Sequence, residues 1–74
     1  MLDYSSLDAV AAVAREGSFD KAAAVLGVTP SAVSQRVKAL EERVGAVLLT
    51  RGSPCRPTVV GARLCAHIEQ VRLL

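Results

Sequence analysis

Ser31, Ser34, Gln35 and Lys38 stand at i, i+3, i+4 and i+7. On a helix turning about 100° per residue they share one side, while Val33, Val37, Leu40 and Val44 share the opposite side. The first set offers hydrogen-bonding and cationic groups, and no acid joins it until Glu41 and Glu42. An apolar seam backed by an acid-free polar stripe suits a helix that packs on one side and meets an anionic partner on the other. Ser and Gln can hydrogen-bond the edges of bases, Gln preferring adenine, and Lys38 can reach guanine or phosphate.

The other groups with chemical potential are Cys55, Cys65 and His67. Together they fall one ligand short of a closed zinc site, and no CxxC or HExxH pairing brings them together, so no metal and no cofactor is expected. Cys55 lies in a turn-rich stretch where a thiol could react. His67, between Leu64 and Ile68, reads as a packing or dimer-interface residue. No nucleophile–base pair, phosphate-cradling loop or pair of acids in a pocket is present, and no enzyme is expected.

The elements that must position the stripe follow from periodicity and punctuation. Ser5 to Glu16 reads as a first helix with Leu7, Val10, Ala11 and Ala14 as its seam and Ser5 with Asp8 as a capping box. Gly17 is a stop and Ser18 the next N-cap, opening a helix from Phe19 to Leu26 with Phe19, Ala22, Ala23 and Leu26 inward. Gly27 supplies the positive φ of a sharp turn. Thr29 caps a third helix with Pro30 at its first position, where the missing N–H costs nothing. That helix runs to about Val44 and stops at Gly45. Beyond it, Ala46 to Arg51 and Arg56 to Thr58, separated by a Gly/Ser/Pro-rich turn, predict a small two-stranded wing. Thr58 caps a fourth helix from Val59 onward with two apolar flanks: Val60, Leu64, Ile68 and Val71, and Val59, Ala62, Ala66 and Leu73. One flank can cover the core, and the other awaits a partner.

The chain has 74 residues and carries a formal charge of only +2. That length suits one small domain burying about 60% of its unfolded surface, without room for a catalytic cleft. Its only aromatic residues are Tyr4 and Phe19, so the core must be Ala, Val and Leu. Asp3, Asp8, Glu16 and Asp20 lie early, whereas Arg36, Lys38, Arg43, Arg51, Arg56 and Arg63 lie later. Two cysteines make no secreted disulfide framework, no signal peptide opens the chain, and Ala9 to Ala14 is far short of the roughly 20 apolar residues of a membrane span. The expected compartment is the cytoplasm. The last helix meets no stop signal before Leu74, which suggests a piece of a longer protein.

Ala23, Gly27 and Val33 stand where a helix-turn-helix places its small residue, turn glycine and buried branched residue. The run TPSAVSQRVKALEERVGAVLLTR resembles the N-terminal signature of LysR-type transcriptional regulators, and the likeness covers essentially the whole chain. Leu-Leu-Thr-Arg and the later Arg-Pro-Thr resemble the branch controlling lysine and arginine export. Leu49 departs from the family's usual phenylalanine, and Val59-Val60-Gly61 departs from its usual small residue before the glycine.

The resemblance implies a mainly α fold: a winged helix-turn-helix over residues 1–58, with a three-helix core and a two-stranded wing. Residues 59–74 would begin a long linker and dimerisation helix, followed by an effector-binding domain outside this chain. It implies sequence-specific binding of double-stranded DNA, with helix 30–44 in the major groove and a homodimer reading an inverted repeat. Its full-length form could assemble into a tetramer, with a small-molecule effector bound only through the further domain. The expected DNA-binding residues are Ser18, Thr29, Pro30, Ser31, Ser34, Gln35, Arg36, Lys38, Arg51 and Arg56. Arg36, about 140° from Ser31, can still reach the backbone from the flank, or pair with an acid of its own domain. Capping alone explains Thr29, Pro30 and Ser18, whose helix N-terminus could also face a phosphate. Arg51 and Arg56 could reach the minor groove, the resemblance favouring Arg51, or simply solubilise the wing. Val59, Ala62, Ala66 and Leu73 form the expected dimer interface. Two alternatives stand beside this reading: a helical protein-interaction module, supported by the weak net charge, and a thiol redox switch through Cys55 and Cys65.

Overall fold

The computed structural model describes residues 4–73, with side chains described through residue 70. It comprises four helices: α1 (Tyr4–Glu16), α2 (Phe19–Leu26), α3 (Pro30–Val44) and α4 (Val59–Leu73). Helix α1 is the hub, packing against each of the other three. A helix with neighbours on three sides has no single seam, so Ser6, Leu7, Ala9, Val10, Ala12 and Val13 are all buried. The expected seam residues Ala11 and Ala14 are only half-buried. The helix already includes Tyr4, so Ser5, expected as its cap, lies inside its first turn.

Caps set the lengths of α2 and α3. The Ser18 hydroxyl accepts the Lys21 N–H at 3.3 Å, and Thr29 accepts the Ala32 N–H at 3.1 Å. Each cap satisfies one of the N–H groups that a helix leaves without an intrahelical partner. Gly27 and Gly45 end the two helices in the left-handed conformation, donating to the carbonyls of Ala23 and Glu41. Between them Val33, Val37 and Leu40 are fully buried, in the same core cluster as Ala22 and Ala23. Small residues there let α2 and α3 approach closely. Val44 is 42% exposed. The seam of α3 therefore ends at Leu40, because the last turn runs past the edge of the core.

Residues 46–58 form a connector with less strand than expected. Its pairing is one antiparallel bridge, Leu49 with Pro57. The Thr50 N–H donates to Arg56 O at 2.7 Å on one side, and the Thr58 N–H donates to Leu48 O at 2.9 Å on the other. The ladder stops because the Thr50 hydroxyl takes the Arg56 N–H at 3.1 Å in place of a backbone carbonyl. At the other end the chain turns into α4. Leu48 and Leu49 are both fully buried, so leucine fills a core position at 49.

Helix α4 is seated by its first turns. The Thr58 hydroxyl donates to Val47 O at 2.7 Å and accepts the Gly61 N–H at 3.1 Å, capping the helix as expected. A Cβ at Gly61 would run into the Leu48 carbonyl oxygen and lie 2.9 Å from its carbon. Gly61 is therefore required for close approach, and it rotates the inner face of α4 to Gly61, Leu64, Cys65 and Ile68. Val60 consequently lies outside that face at 43% exposure, against expectation. The side chain of Val71 lies outside the described residues.

Candidate nucleic-acid interface

Helix α3 presents the stripe that its spacing predicted. Ser31, Ser34, Gln35 and Lys38 are exposed, while Val33, Val37 and Leu40 on the opposite side have no accessible surface. Thr29 and Pro30 are exposed at the start of the same helix, and Thr29 is engaged as its cap. Arg36 is half-buried at the flank. Among the described residues neither Arg36 nor Lys38 is ion-paired, so both cations are available to an outside anion. Ser18 is half-buried as the N-cap of α2.

Arg51 is held within its own domain. Its guanidinium carbon lies 4.6 Å from the centroid of the Phe19 ring, where the ring quadrupole attracts a cation. An Nη2 of the same group lies 3.6 Å from Glu41 Oε1, and the Arg51 side chain stays 52% exposed. It is thus anchored without being covered, which is neither a free solubilising arm nor a buried ion pair. Arg56 is exposed, with its backbone N–H and C=O both bonded to Thr50.

Glu41 is the residue that sequence reasoning passed over. Its Oε2 accepts the Leu48 N–H at 2.8 Å, while its backbone carbonyl accepts the N–H groups of Gly45 and Ala46. Leu48 is fully buried, and an unpaired N–H there would cost about 1–3 kcal/mol. A signal for Glu41 was present in the sequence. An acid in the last turn of a helix opposes the helix dipole, so one placed there calls for a donor close downstream.

The tip of the connector sits on the turn between α1 and α2. The Cys55 N–H donates to Gly17 O at 2.9 Å, and a Cβ at Gly17, whose φ is +74°, would lie 3.2 Å from Pro54 Cβ. The Cys55 thiol donates to Gly52 O at 3.3 Å. Cys65 lies between α1 and α4 in a cleft of about 320 Å³ lined also by Ala11, Ala14, Arg15, Ile68 and Glu69. Burial, and next the Glu69 carboxylate, push its thiol pKa above the usual value. That shift favours the thiol over the thiolate, and the thiolate is the form a redox nucleophile needs. His67 is exposed, so it does not pack in this chain's own core. Val59, Ala62 and Ala66 form an exposed stripe on α4, whereas the side chain of Leu73 lies outside the described residues. Among the described residues no helix is long and apolar enough to cross a membrane.

Residues 4–62 match the family described as bacterial regulatory helix-turn-helix protein, lysR family. The HTH-type transcriptional regulator ArgP of Pseudomonas fluorescens (strain Pf0-1) is 54% identical over 74 residues, taking in 100% of this chain and 25% of that protein. The chain thus spans about a quarter of the length of the curated relatives it matches. The crystal structure of ArgP from Mycobacterium tuberculosis is similar with a TM-score of 0.94 at 53% identity, over 99% of this chain and 28% of that one. Full-length LysG from Corynebacterium glutamicum with bound effector Arg gives 0.92 at 42% identity, over 97% and 25%. The BenM DNA-binding domain in complex with benA site 1 DNA gives 0.88 at 32% identity, over 95% and 80%.

Proposed function

Because this chain belongs to the LysR family of bacterial regulatory helix-turn-helix proteins, we propose that it is the DNA-binding part of a transcriptional regulator that reads an inverted repeat as a dimer. The relatives are transcriptional regulators, a family without enzymatic activity. The observation that carries the reading is the two-faced α3: its seam is fully buried while Ser31, Ser34, Gln35 and Lys38 stand exposed with no acid among them. A recognition helix enters the major groove by its N-terminal turns, where these residues lie.

Ser31, Ser34 and Gln35 meet base edges or phosphate, Lys38 takes guanine or phosphate, Arg36 reaches the backbone from the flank, and Thr29 and Pro30 touch DNA at the start of the helix. Ser18 presents the N-terminus of α2 to a neighbouring phosphate. The 46–58 connector acts as the wing, with Arg51 and Arg56 reaching the adjacent minor groove or backbone. Residues 1–58 form the DNA-reading unit, and 59–74 begin the linker helix. Gly61 and Ile68 are buried in the common core, so that boundary divides functions rather than folds. Val59, Ala62, Ala66 and Leu73 pair with a second copy, and further assembly of the whole regulator gives a tetramer. Similarity to ArgP and LysG supports a cytoplasmic regulator answering to lysine or arginine through a domain beyond these residues.

Affinity is dominated by phosphate neutralisation and falls steeply with salt. The test is binding of the 74-residue chain to an inverted-repeat duplex and to a scrambled one at two salt concentrations. The reading expects tighter binding to the repeat and weakening on both with salt. Equal weak binding would leave only generic phosphate affinity. No binding by a folded, dimeric chain would favour a protein-interaction module.

A further inference from the structure

We propose that Glu41 is the positioning residue that locks the connector, and with it Arg51, to the recognition helix, so that α3 and the wing meet DNA as one rigid reader. The proposal rests on the DNA-binding reading above and assigns no DNA contact to Glu41 itself.

The two carboxylate oxygens of Glu41 do different work. Oε2 accepts the Leu48 N–H at 2.8 Å, a charge-assisted bond that ties the root of the connector to the last turn of α3. Oε1 faces the Arg51 guanidinium at 3.6 Å, and that guanidinium lies 4.6 Å from the Phe19 ring centroid at the start of α2. One side chain, itself only 14% exposed, thereby joins α3, the connector and the N-terminus of α2. The same residue is gripped through its carbonyl as well, for Leu48 O accepts the Thr58 N–H at 2.9 Å and abuts Gly61 of α4. With its root bonded on both sides, the connector cannot swing about Gly45 independently of α3.

Such a clamp matters because base contacts specify sequence only if the phosphate contacts hold the reader in register. A loose wing would leave Arg51 and Arg56 as generic cations: attraction to any duplex would remain, and discrimination would fall. Geometry and charge can be separated at this position. Glu41→Asp keeps the charge but withdraws the carboxylate by one carbon–carbon bond, about 1.5 Å, beyond reach of the Leu48 N–H. Glu41→Gln loses the charge but keeps an acceptor at the same reach.

The experiment measures affinity of wild type, Glu41→Asp and Glu41→Gln for an inverted-repeat and a scrambled duplex, with folding checked by circular dichroism. Leu48 amide hydrogen exchange is measured in parallel. Glu41→Asp should lower the ratio of specific to scrambled affinity by about tenfold, the scale of one good base contact, with scrambled binding nearly unchanged. Glu41→Gln should retain most of that ratio. The proposal is overturned if the order is reversed, if neither variant alters the ratio, or if both lose affinity equally on the two duplexes. Should wild type bind neither duplex, the DNA-binding reading itself fails. The clamp is then judged by exchange alone: faster Leu48 exchange in Glu41→Asp than in Glu41→Gln supports it, and equal exchange refutes it.

Discussion

The α2–turn–α3 segment and the 46–58 connector both carry candidate DNA contacts, yet they are held in place by opposite means. Helix α3 is placed by a periodic apolar seam and by a cap three residues from its donor, Thr29 accepting the Ala32 N–H. The connector has a single bridge, and non-local bonds place the rest: Glu41 to Leu48 and Gly17 to Cys55 from outside it, and Thr58 to Val47 across its two ends. Local patterning makes a helix that persists if one neighbour moves. A segment held by scattered long-range bonds depends on the whole domain being folded. The segment proposed to read DNA is thus locally encoded, and the connector is encoded globally.

The most damaging test should strike the shared core. Leu40→Ala removes a fully buried side chain from the seam of α3 and should cost about 2–5 kcal/mol in chemical denaturation. Both regions should then lose structure together, and a connector that survived would contradict its dependence on the core. Gly61→Ala is the sharper cut. Its Cβ would collide with the Leu48 carbonyl, and overpacking of this kind costs about 1–3 kcal/mol. Amide shifts in a heteronuclear NMR spectrum should concentrate at residues 47–62 and spare the first turns of α3.

Gln35→Ala should leave stability unchanged and weaken specific DNA binding by about 1–3 kcal/mol, relaxing specificity at one base pair. An equal loss on random DNA would reject base reading by Gln35. The smallest effect belongs to the two cations of α3. Lys38→Ala or Arg36→Ala should reduce the slope of log affinity against log salt by about one if each meets phosphate, and an unchanged slope would reject that contact.

The helix boundaries, the caps at Ser18, Thr29 and Thr58 and the buried trio Val33, Val37 and Leu40 were legible in the sequence, because each depends on neighbours within a turn or two. Misreadings arose where a third element intervened. The seam of α1 spread to Ala9, Ala12 and Val13 because three helices surround it. Val44 and Val60 proved exposed because the core ends before one and Gly61 turns α4 away from the other. The wing shrank to a bridge when the Thr50 hydroxyl took an N–H that a ladder would have used.

The sequence by itself determined the class of fold, the order of the helices and the polar stripe of α3, since the 3.6-residue period and the capping residues act over a few positions. Only the tertiary structure decided where Arg51 rests, which face of α4 turns inward and what Glu41 does. Those outcomes depend on contacts between residues 7 to 32 positions apart, such as Glu41 with Leu48 and Phe19 with Arg51, whose geometry no local period encodes.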